Sequence, residues 1–119
     1  MTPAALADEK APATIQRLKP AEFEQVVAKP GVIVLDVRTP AEFKTRRLKG
    51  AVLADVKSQT FEKRIAELDK TRPYAVYCAM GPRSTKACEL LRKAGFTQLY
   101  ELDGGILAWE KAGKPVDRE

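Results

Sequence analysis

Residues 74–95, YAVYCAMGPRSTKACELLRKAG, contain the pattern that decides the fold. The segment opens on a short apolar run that is typical of a strand buried on both faces. The run stops at Cys78, a loop with glycine and proline follows, and an amphipathic helical pattern then extends from Ser84 to Ala94. A strand that passes through a short loop into a helix is the repeating unit of α/β folds.

The rest of the chain repeats this alternation. The pattern predicts strands at 13–16, 32–35, 50–53, 74–77 and 99–102, and helices at 21–28, 60–68, 84–94 and 106–112. Thr39, followed three residues later by Glu42, forms a capping box that predicts one more helix start. We therefore predict an α/β fold, with a mainly parallel central sheet of about five strands and helices on both faces.

The length of 119 residues suits one domain. We predict that residues 1–13, which are small, Ala/Pro-rich and of mixed charge, form a disordered leader and that residues 14–116 form the domain. The leader lacks the basic start and apolar block of a secretory signal, so the sequence as written predicts a cytoplasmic protein. A periplasmic location stays open if a signal peptide was removed ahead of Met1.

The composition favours an anionic ligand. The net charge is +5, and a basic surface attracts anions. The densest basic cluster, residues 44–49, lacks interleaved aromatic side chains and is typical of a solvated face. No segment approaches the roughly 18 consecutive apolar residues of a membrane-spanning helix. We expect a small anionic substrate, with no nucleic acid and no membrane as partner.

Two cysteines and no histidine exclude several kinds of site. Two thiols cannot supply the four ligands of a Cys/His zinc site. Without an imidazole, neither a Cys-His nor a Ser-His dyad can form. We therefore expect no metal and no cofactor, and a nucleophilic cysteine would need activation by electrostatics and hydrogen bonds.

Cys78 has the surroundings that such activation requires. It lies where a strand ends and a helix begins, so unpaired amides and the positive end of the helix dipole can stabilise a thiolate. Gly81 permits a positive φ in a curled loop, and Arg83 can either bind an oxyanion or brace the loop. Simple burial is the alternative for any cysteine. Cys88, inside the predicted helix beside its apolar stripe, is assigned to the core.

Four segments of the sequence carry a family resemblance. They are VIVLDVRTPAEF at 32–43, LKGAV at 48–52, VYCAMGPRSTKA at 76–87 and ELDGGILAW at 101–109. In this order and spacing they resemble the single-domain rhodanese family of sulfurtransferases, over roughly residues 13–113. The resemblance implies that residues 14–116 are a rhodanese-like domain.

The resemblance also implies a mechanism. Cys78 would be the catalytic nucleophile, which takes sulfane sulfur from a donor such as thiosulfate as a persulfide and passes it to cyanide or a thiol, or to a protein acceptor. The amides of the active-site loop would hold the transferred sulfur. The family's six-residue loop corresponds to Cys78, Ala79, Met80, Gly81, Pro82 and Arg83.

The resemblance assigns supporting roles to a few further residues. Asp36 and Arg38 match the family's Asp-x-Arg, as a structural ion pair or with Arg38 adding positive potential to the site. Ser84 is expected to support the loop. Gly104-Gly105, ahead of Trp109, would shape a turn and pack the last helix.

One segment departs from the family pattern. Residues 46–48, Arg-Arg-Leu, stand where many members have Gly-His-Ile. The departure predicts different local packing and a more cationic surface near the site.

Two alternative functions stay open. Phosphatases and arsenate reductases of the same fold also use a Cys…Arg loop, but theirs has five residues between Cys and Arg, and this chain has four. The shorter loop favours a single sulfur atom over a phosphate. A non-enzymatic sulfur-carrier or protein-interaction module is the other alternative, and an exposed apolar patch beside the loop, with Met80 as a candidate, would favour it.

Overall fold

Short apolar runs become parallel strands, and amphipathic segments become the helices between them. The structure, a computed structural model, describes residues 14–118; the predicted leader at 1–13 lies outside the described residues. The strands are β1 Thr14–Leu18, β2 Ile33–Asp36, β3 Arg46–Arg47, β4 Val52–Leu53, β5 Tyr74–Tyr77, β6 Gln98–Leu102 and β7 Asp117–Arg118. The helices are α1 Pro20–Val27, α2 Pro40–Thr45, α3 Phe61–Ala66, α4 Pro82–Lys93 and α5 Gly105–Lys111.

Five of the strands form one sheet in the order β1-β6-β5-β2-β4, and every pair in it is parallel. Strand β5 lies at the centre, between β2 and β6. All four of its residues are buried, which accounts for its unbroken apolar run. The predicted α/β fold with a parallel sheet of about five strands is confirmed.

Helices cover both faces of the sheet. On one face, Leu35, Val76 and Cys78 pack with Phe61 of α3 and Leu91 of α4. A second cluster, on the other face, contains residues from β5, α1 and α5: Phe23, Ala75, Tyr77, Ile106 and Trp109. Because side chains alternate along a strand, Tyr77 and Cys78 belong to opposite cores. This separation decides which polar groups can reach the cysteine.

A second, two-stranded sheet was not predicted. Strands β3 and β7 pair antiparallel, with Arg47 opposite Asp117. Each strand has two residues and neither has the apolar alternation on which a sequence prediction depends. An ion pair between Arg46 and Glu110, at 2.8 Å, ties this region to α5.

The predicted boundaries differ slightly from the observed ones. Strand β1 continues to Leu18 because all five of its residues pair with β6. The strand predicted at 50–53 is reduced to β4, since Gly50 has a φ of 75° and belongs to a turn. Within residues 14–118, no helix has both the length and the apolar character needed to cross a bilayer.

Candidate active site

The candidate site lies at the carboxyl end of β5, the central strand. In an open α/β sheet, ligands bind beside the carboxyl ends of strands. Cys78 directly follows β5 and is 0% exposed. The backbone N–H of Gly81 donates a hydrogen bond to the Cys78 Sγ at 3.0 Å. Gly81 has a φ of 132°, the positive value expected from the sequence, which lets the loop curl back over the sulfur.

Helix α4 begins at Pro82, inside this loop, so its N-terminus lies beside the sulfur. Gly81 is the N-cap residue and Pro82 occupies the first turn, where its missing N–H costs no hydrogen bond. The remaining first-turn amides have no acceptor inside the helix, and the helix dipole adds positive potential. Met80, at the outer edge of the loop, is 66% exposed. The site therefore combines a buried sulfur with amide donors and one exposed apolar side chain.

The N-terminus of α5 holds the first two residues of the loop, Cys78 and Ala79, by backbone hydrogen bonds. The N–H of Ile106 donates to the Cys78 carbonyl at 2.8 Å, and that of Leu107 donates to the Ala79 carbonyl at 3.1 Å. A methyl group on Gly105 would overlap both of these carbonyl groups. The glycine pair of the fourth sequence segment thus allows a helix to approach the loop closely, in addition to forming a turn.

Arg83 makes a two-pronged ion pair with Glu42. Its Nη1 and Nη2 donate to the two Glu42 carboxylate oxygens at 2.7 and 3.0 Å. Glu42 also accepts from the N–H of Thr39 at 3.1 Å, as the predicted capping box of α2 requires. The Arg83 hydrogen bonds are the main reason why the pKa of Glu42 is lowered from 4.5 to about 2. Arg83 was expected either to bind an oxyanion or to brace the loop, and its contact with Glu42 is of the bracing kind.

Asp36 and Arg38 form a buried ion pair away from the cysteine. The Arg38 Nη2 donates to Asp36 Oδ2 at 2.7 Å and to the Arg46 carbonyl at 2.6 Å. The hydroxyl of Tyr77 donates to Asp36 Oδ2 at 2.6 Å and accepts from the Leu48 N–H at 3.1 Å. Since Tyr77 lies on the face opposite Cys78, these contacts favour the structural ion pair over a direct effect of Arg38 on the site.

Glu101 is a site residue that the sequence analysis did not single out. It belongs to β6, is only 3% exposed and accepts hydrogen bonds from the hydroxyls of Ser84 and Thr85 at 2.8 and 2.7 Å. Ser84 Oγ in turn lies 3.5 Å from the Cys78 Sγ. A glutamate inside the predicted strand at 99–102, between tyrosine and leucine, was the available signal, because a buried carboxylate needs dedicated partners.

The remaining predicted residues lie outside this arrangement. Cys88 is buried in the core as assigned, and burial raises the pKa of its thiol. The Arg46 side chain is paired with Glu110, while Arg47 donates to the Phe43 carbonyl and stacks over the Phe43 ring. The described part of the chain holds no group of three His, Cys, Asp or Glu side chains placed to bind a metal ion.

Comparisons with known proteins agree with this arrangement. The family model of the rhodanese-like domain matches residues 19–112. A protein of Allochromatium vinosum named sulfurtransferase is 34% identical over 85 residues, covering 71% of this chain and 78% of that protein. The crystal structure of a rhodanese-related protein from Thermoplasma volcanium superimposes with a TM-score of 0.77 at 28% identity, covering 87% of this chain and 99% of the other.

Other curated relatives are longer proteins. A protein of Cytophaga hutchinsonii named tRNA uridine(34) hydroxylase is 37% identical over 109 residues, covering 87% of this chain but 35% of the relative. The chain thus spans about a third of the length of these relatives. The family model covers the cysteine loop at the end of the central strand. On the family match and the fold together, this chain belongs to the rhodanese-like domain family.

Proposed function

We propose that this chain is a sulfurtransferase in which Cys78 accepts sulfane sulfur from a donor such as thiosulfate and passes it to a thiophilic acceptor, either cyanide or a thiol. The observation that carries the proposal is the position of the Cys78 Sγ, which accepts the Gly81 N–H at 3.0 Å beside the N-terminus of α4. The relative named sulfurtransferase supports it, since the match covers most of both chains.

The proposed reaction is a double displacement. The Cys78 thiolate attacks the outer sulfur of thiosulfate, a sulfur–sulfur bond forms to the protein, and the donor's own S–S bond breaks. Sulfite leaves with the electron pair, and the persulfide remains on Cys78. Amide donors held in place before the reaction stabilise the anionic terminal sulfur. The acceptor then attacks that sulfur and restores the thiolate.

The burial of Cys78 sets a condition on this chemistry. With the cysteine 0% exposed, a donor reaches the Sγ only when the loop around Met80 and Gly81 moves. The chain is held on both sides of this point, by α5 at Ala79 and by Glu42 at Arg83. Residues 79–83 are therefore proposed to act as a short segment that opens between two anchored ends.

The named activity of the longer relatives is not part of this proposal. Uridine hydroxylation belongs to proteins of which the chain spans about a third. A sulfur carrier is the second candidate, because the exposed Met80 and Leu107 lie beside the loop that holds Cys78. A carrier would form the persulfide but would not turn over with a small acceptor.

Mass spectrometry of the intact protein after incubation with thiosulfate tests the proposal. We expect a gain of about 32 Da, one sulfur atom, that disappears on treatment with cyanide. The gain should be absent in Cys78→Ser and present in Cys88→Ser, the same replacement at the other buried cysteine. No gain with thiosulfate or any other sulfane donor would rule out the function.

Steady-state kinetics separate the enzyme from the carrier. When thiosulfate and cyanide are varied together, double displacement gives parallel double-reciprocal lines. Intersecting lines would contradict the mechanism. A persulfide that forms but is not discharged by cyanide or a small thiol would support the carrier instead.

A further inference from the structure

An open cavity adjoins the outer side of the cysteine loop. Its volume is about 280 Å³, just below the range of roughly 300–1,000 Å³ that holds drug-sized ligands, so it suits a smaller molecule. Cys78 does not line the cavity, but Gly81 does, and the Gly81 N–H donates to the Cys78 Sγ at 3.0 Å. A molecule in this cavity is therefore separated from the sulfur only by the loop at Gly81.

Arg17 of β1 presents a guanidinium group to the cavity. Its side chain is 54% exposed, and its Nη2 donates to Thr85 Oγ1 at 2.9 Å and lies 3.6 Å from Glu101 Oε2. Within residues 14–118, the Arg17 side chain makes no other hydrogen bond or ion pair. These two contacts fix the guanidinium group and leave further N–H donors free for a ligand. Such a group is well suited to a carboxylate.

Glu101, which also lines the cavity, is already fully engaged. Its side chain is only 3% exposed, and Oε2 accepts from the hydroxyls of Ser84 and Thr85 at 2.8 and 2.7 Å. Together with the nearby guanidinium group of Arg17, these donors stabilise the carboxylate. Glu101 therefore anchors Arg17 at the wall of the cavity and does not serve as a contact for a ligand.

Asp103 supplies an exposed charge of the opposite sign to the same cavity. It directly follows β6, and its N–H donates to the Leu18 carbonyl at 2.8 Å, which holds it beside the end of β1. Its side chain is exposed, and no hydrogen bond or ion pair to its carboxylate occurs among the described residues, 14–118. Arg17 pairs in register with Glu101, two residues before Asp103. The exposed cation and the exposed carboxylate thus lie on neighbouring strands at one end of the sheet.

The charges that line the cavity differ from the charge of the whole protein. The chain has a net charge of +5, whereas the cavity has one cation, Arg17, and two carboxylates, Glu101 and Asp103. A doubly charged anion such as thiosulfate is attracted by the protein as a whole but is opposed by Asp103 in this cavity. A ligand with one carboxylate and one ammonium group can pair with both exposed charges. The cavity therefore fits an acceptor better than the anionic donor.

We propose that this cavity binds the α-amino acid group of a thiol acceptor, as found in free cysteine and at the γ-glutamyl end of glutathione. Arg17 binds the carboxylate, Asp103 binds the ammonium group, and the exposed thioether of Met80 packs against the methylene groups. This inference rests on the proposed sulfur transfer and names the class of acceptor for it. Arg17 and Asp103 are then the residues that determine acceptor specificity.

The transfer step needs no further reactant. The acceptor thiol loses its proton to water, and its thiolate attacks the terminal sulfur of the Cys78 persulfide when residues 79–83 open. A sulfur–sulfur bond forms on the acceptor, and the bond between the transferred sulfur and the Cys78 Sγ breaks. Cys78 leaves as a thiolate with the electron pair of that bond, and the acceptor leaves as a persulfide.

The test follows the discharge of the Cys78 persulfide by four thiols at one pH. L-Cysteine carries both charged groups, 3-mercaptopropionate only the carboxylate, cysteamine only the ammonium group, and 2-mercaptoethanol neither. Mass spectrometry records the loss of about 32 Da from the loaded protein. Each rate constant of a variant is divided by the wild-type value for the same thiol, so that the intrinsic reactivity of the thiol cancels.

The two proposed contacts give different patterns of loss. Arg17→Gln should lower the rate constant about fivefold for cysteine and 3-mercaptopropionate, with a smaller effect on the two thiols that lack a carboxylate. Asp103→Asn should lower it by a similar factor for cysteine and cysteamine, and it should not lower it for 3-mercaptopropionate. Arg17→Lys keeps the charge and should restore part of the rate with cysteine.

Arg92→Gln is the matched control for the loss of a positive charge. Arg92 lies near the other end of α4, in an exposed ion pair with Glu89, and does not line the cavity. Its replacement should leave the rate constants of all four thiols within about twofold of the wild type. Glutathione, measured beside cysteine, identifies the source of the amino acid group, because the natural acceptor is the one whose rate falls more in Arg17→Gln.

Two results would overturn the proposal. The first is an equal fractional loss for all four thiols in Arg17→Gln, since a purely structural role of Arg17 at Thr85 and Glu101 would slow every acceptor alike. The second is a larger effect of Arg17→Gln on loading by thiosulfate than on discharge by cysteine, since Arg17 would then serve the donor. Either result leaves the proposed sulfur transfer intact, because the persulfide has formed.

A binding measurement separates this inference from the proposed function. S-Methyl-L-cysteine has the amino acid group but no free thiol, so its binding requires no sulfur transfer. At millimolar concentrations it should shift the backbone amide NMR signals of Leu102 and Gly104, which line the cavity, and Asp103→Asn should weaken these shifts. Wild-type protein without such shifts would overturn the inference. Shifts in a protein that forms no persulfide would retain the amino acid site and reject the sulfur transfer.

Discussion

At the scale of single residues, the arrangement depends on side chains that each serve two elements. Glu42 caps α2 through Thr39 and holds Arg83, the residue that ends the cysteine loop. Asp36 accepts from both Arg38 and Tyr77, so it joins β2 to β5 on the face away from Cys78. Replacing one such residue therefore disturbs contacts between elements as well as a local cap.

Glu42→Gln should make stability depend less on pH. The folded state lowers the pKa of Glu42 from 4.5 to about 2, so the carboxylate contributes stability above pH 4.5 that is lost as the pH falls toward 2. The wild type should exceed the variant by about 1 kcal/mol at neutral pH, a value reduced for partial solvent exposure, and the difference should vanish near pH 2. Urea unfolding at several pH values measures it.

Glu22→Gln provides the matched control for this prediction. Glu22 occupies the same capping position in α1, within an identical Pro-Ala-Glu-Phe sequence, and no ion pair to it occurs within residues 14–118. Glu22→Gln should lower the free energy of unfolding less than Glu42→Gln does, and it should leave the ion pair that holds Arg83 intact. Equal losses in both variants would show that capping, and not Arg83, accounts for the effect.

At the scale of elements, the cysteine loop is held between two helix N-termini. Helix α4 begins inside the loop, and α5 donates two backbone hydrogen bonds to its first two carbonyl groups. Such close approach is possible because Gly105 has no side chain and adopts a φ of 65°. The position of α5 therefore controls the geometry of the loop as directly as α4 does.

Gly105→Ala should damage the fold and the site together. The new methyl group would overlap the carbonyl groups of Cys78 and Ala79, and the residue would keep a left-handed conformation. We expect a loss of about 3 kcal/mol in the free energy of unfolding and a changed rate of Cys78 alkylation in the folded protein. Denaturant titration and alkylation kinetics provide the two measurements.

Gly113→Ala separates backbone strain from overlap. Gly113 follows the same helix with a φ of 80°, but a methyl group there would meet no atom within 4 Å. This variant should lose only about 1 kcal/mol and leave Cys78 unaffected. If Gly105→Ala and Gly113→Ala lower the free energy of unfolding equally, overlap with the loop carbonyl groups does not account for the effect at Gly105.

At the scale of the whole molecule, the sheet brings segments that are distant in sequence to one edge. The net charge acts on any ligand that approaches the protein. The order β6-β5-β2 places residues that follow three different strands around Cys78. The net charge of +5 favours the approach of anions over the distance that salt allows. An anionic donor should therefore react with this protein faster at low ionic strength.

The dependence on salt tests the role of the overall charge. Raising NaCl from about 20 to 300 mM should lower kcat/KM for thiosulfate several-fold, because the screening length shrinks from about 20 to 6 Å. The rate of alkylation by neutral iodoacetamide at a fixed pH should hardly change. A kcat/KM independent of salt would indicate that only local hydrogen bonds attract the donor.

Much of the fold could be predicted because its signals are local. The apolar run at 74–77, the glycine and proline after it and the amphipathic helix beyond are each short-range patterns. The pair β3 and β7 was not predicted because strands of two residues are too short to show a periodic pattern. The position of Cys78 at the end of the central strand follows from the same local patterns.

The partners of the site residues could not be predicted in this way. Arg83 and Glu42 are 41 residues apart, and Ser84 and Glu101 are 17 apart. From the sequence, either Arg38 or Arg83 was a possible contributor to the site. Arg38 lies beside Tyr77, and only the structure shows that Tyr77 and Cys78 point to opposite faces of the sheet. Such pairings depend on strand order and on the face to which each side chain points.

The sequence by itself determined the alternation of strands and helices, the family to which the chain belongs and the place of one cysteine at the start of a helix, in a chain without histidine. The tertiary structure decided that Arg83 is held by Glu42, that Gly105 lies against the loop and that Glu101 reaches Cys78 through Ser84. The physical reason is that backbone patterns arise from neighbouring residues, whereas a buried charge takes its partners from whichever strands the folded sheet places beside it.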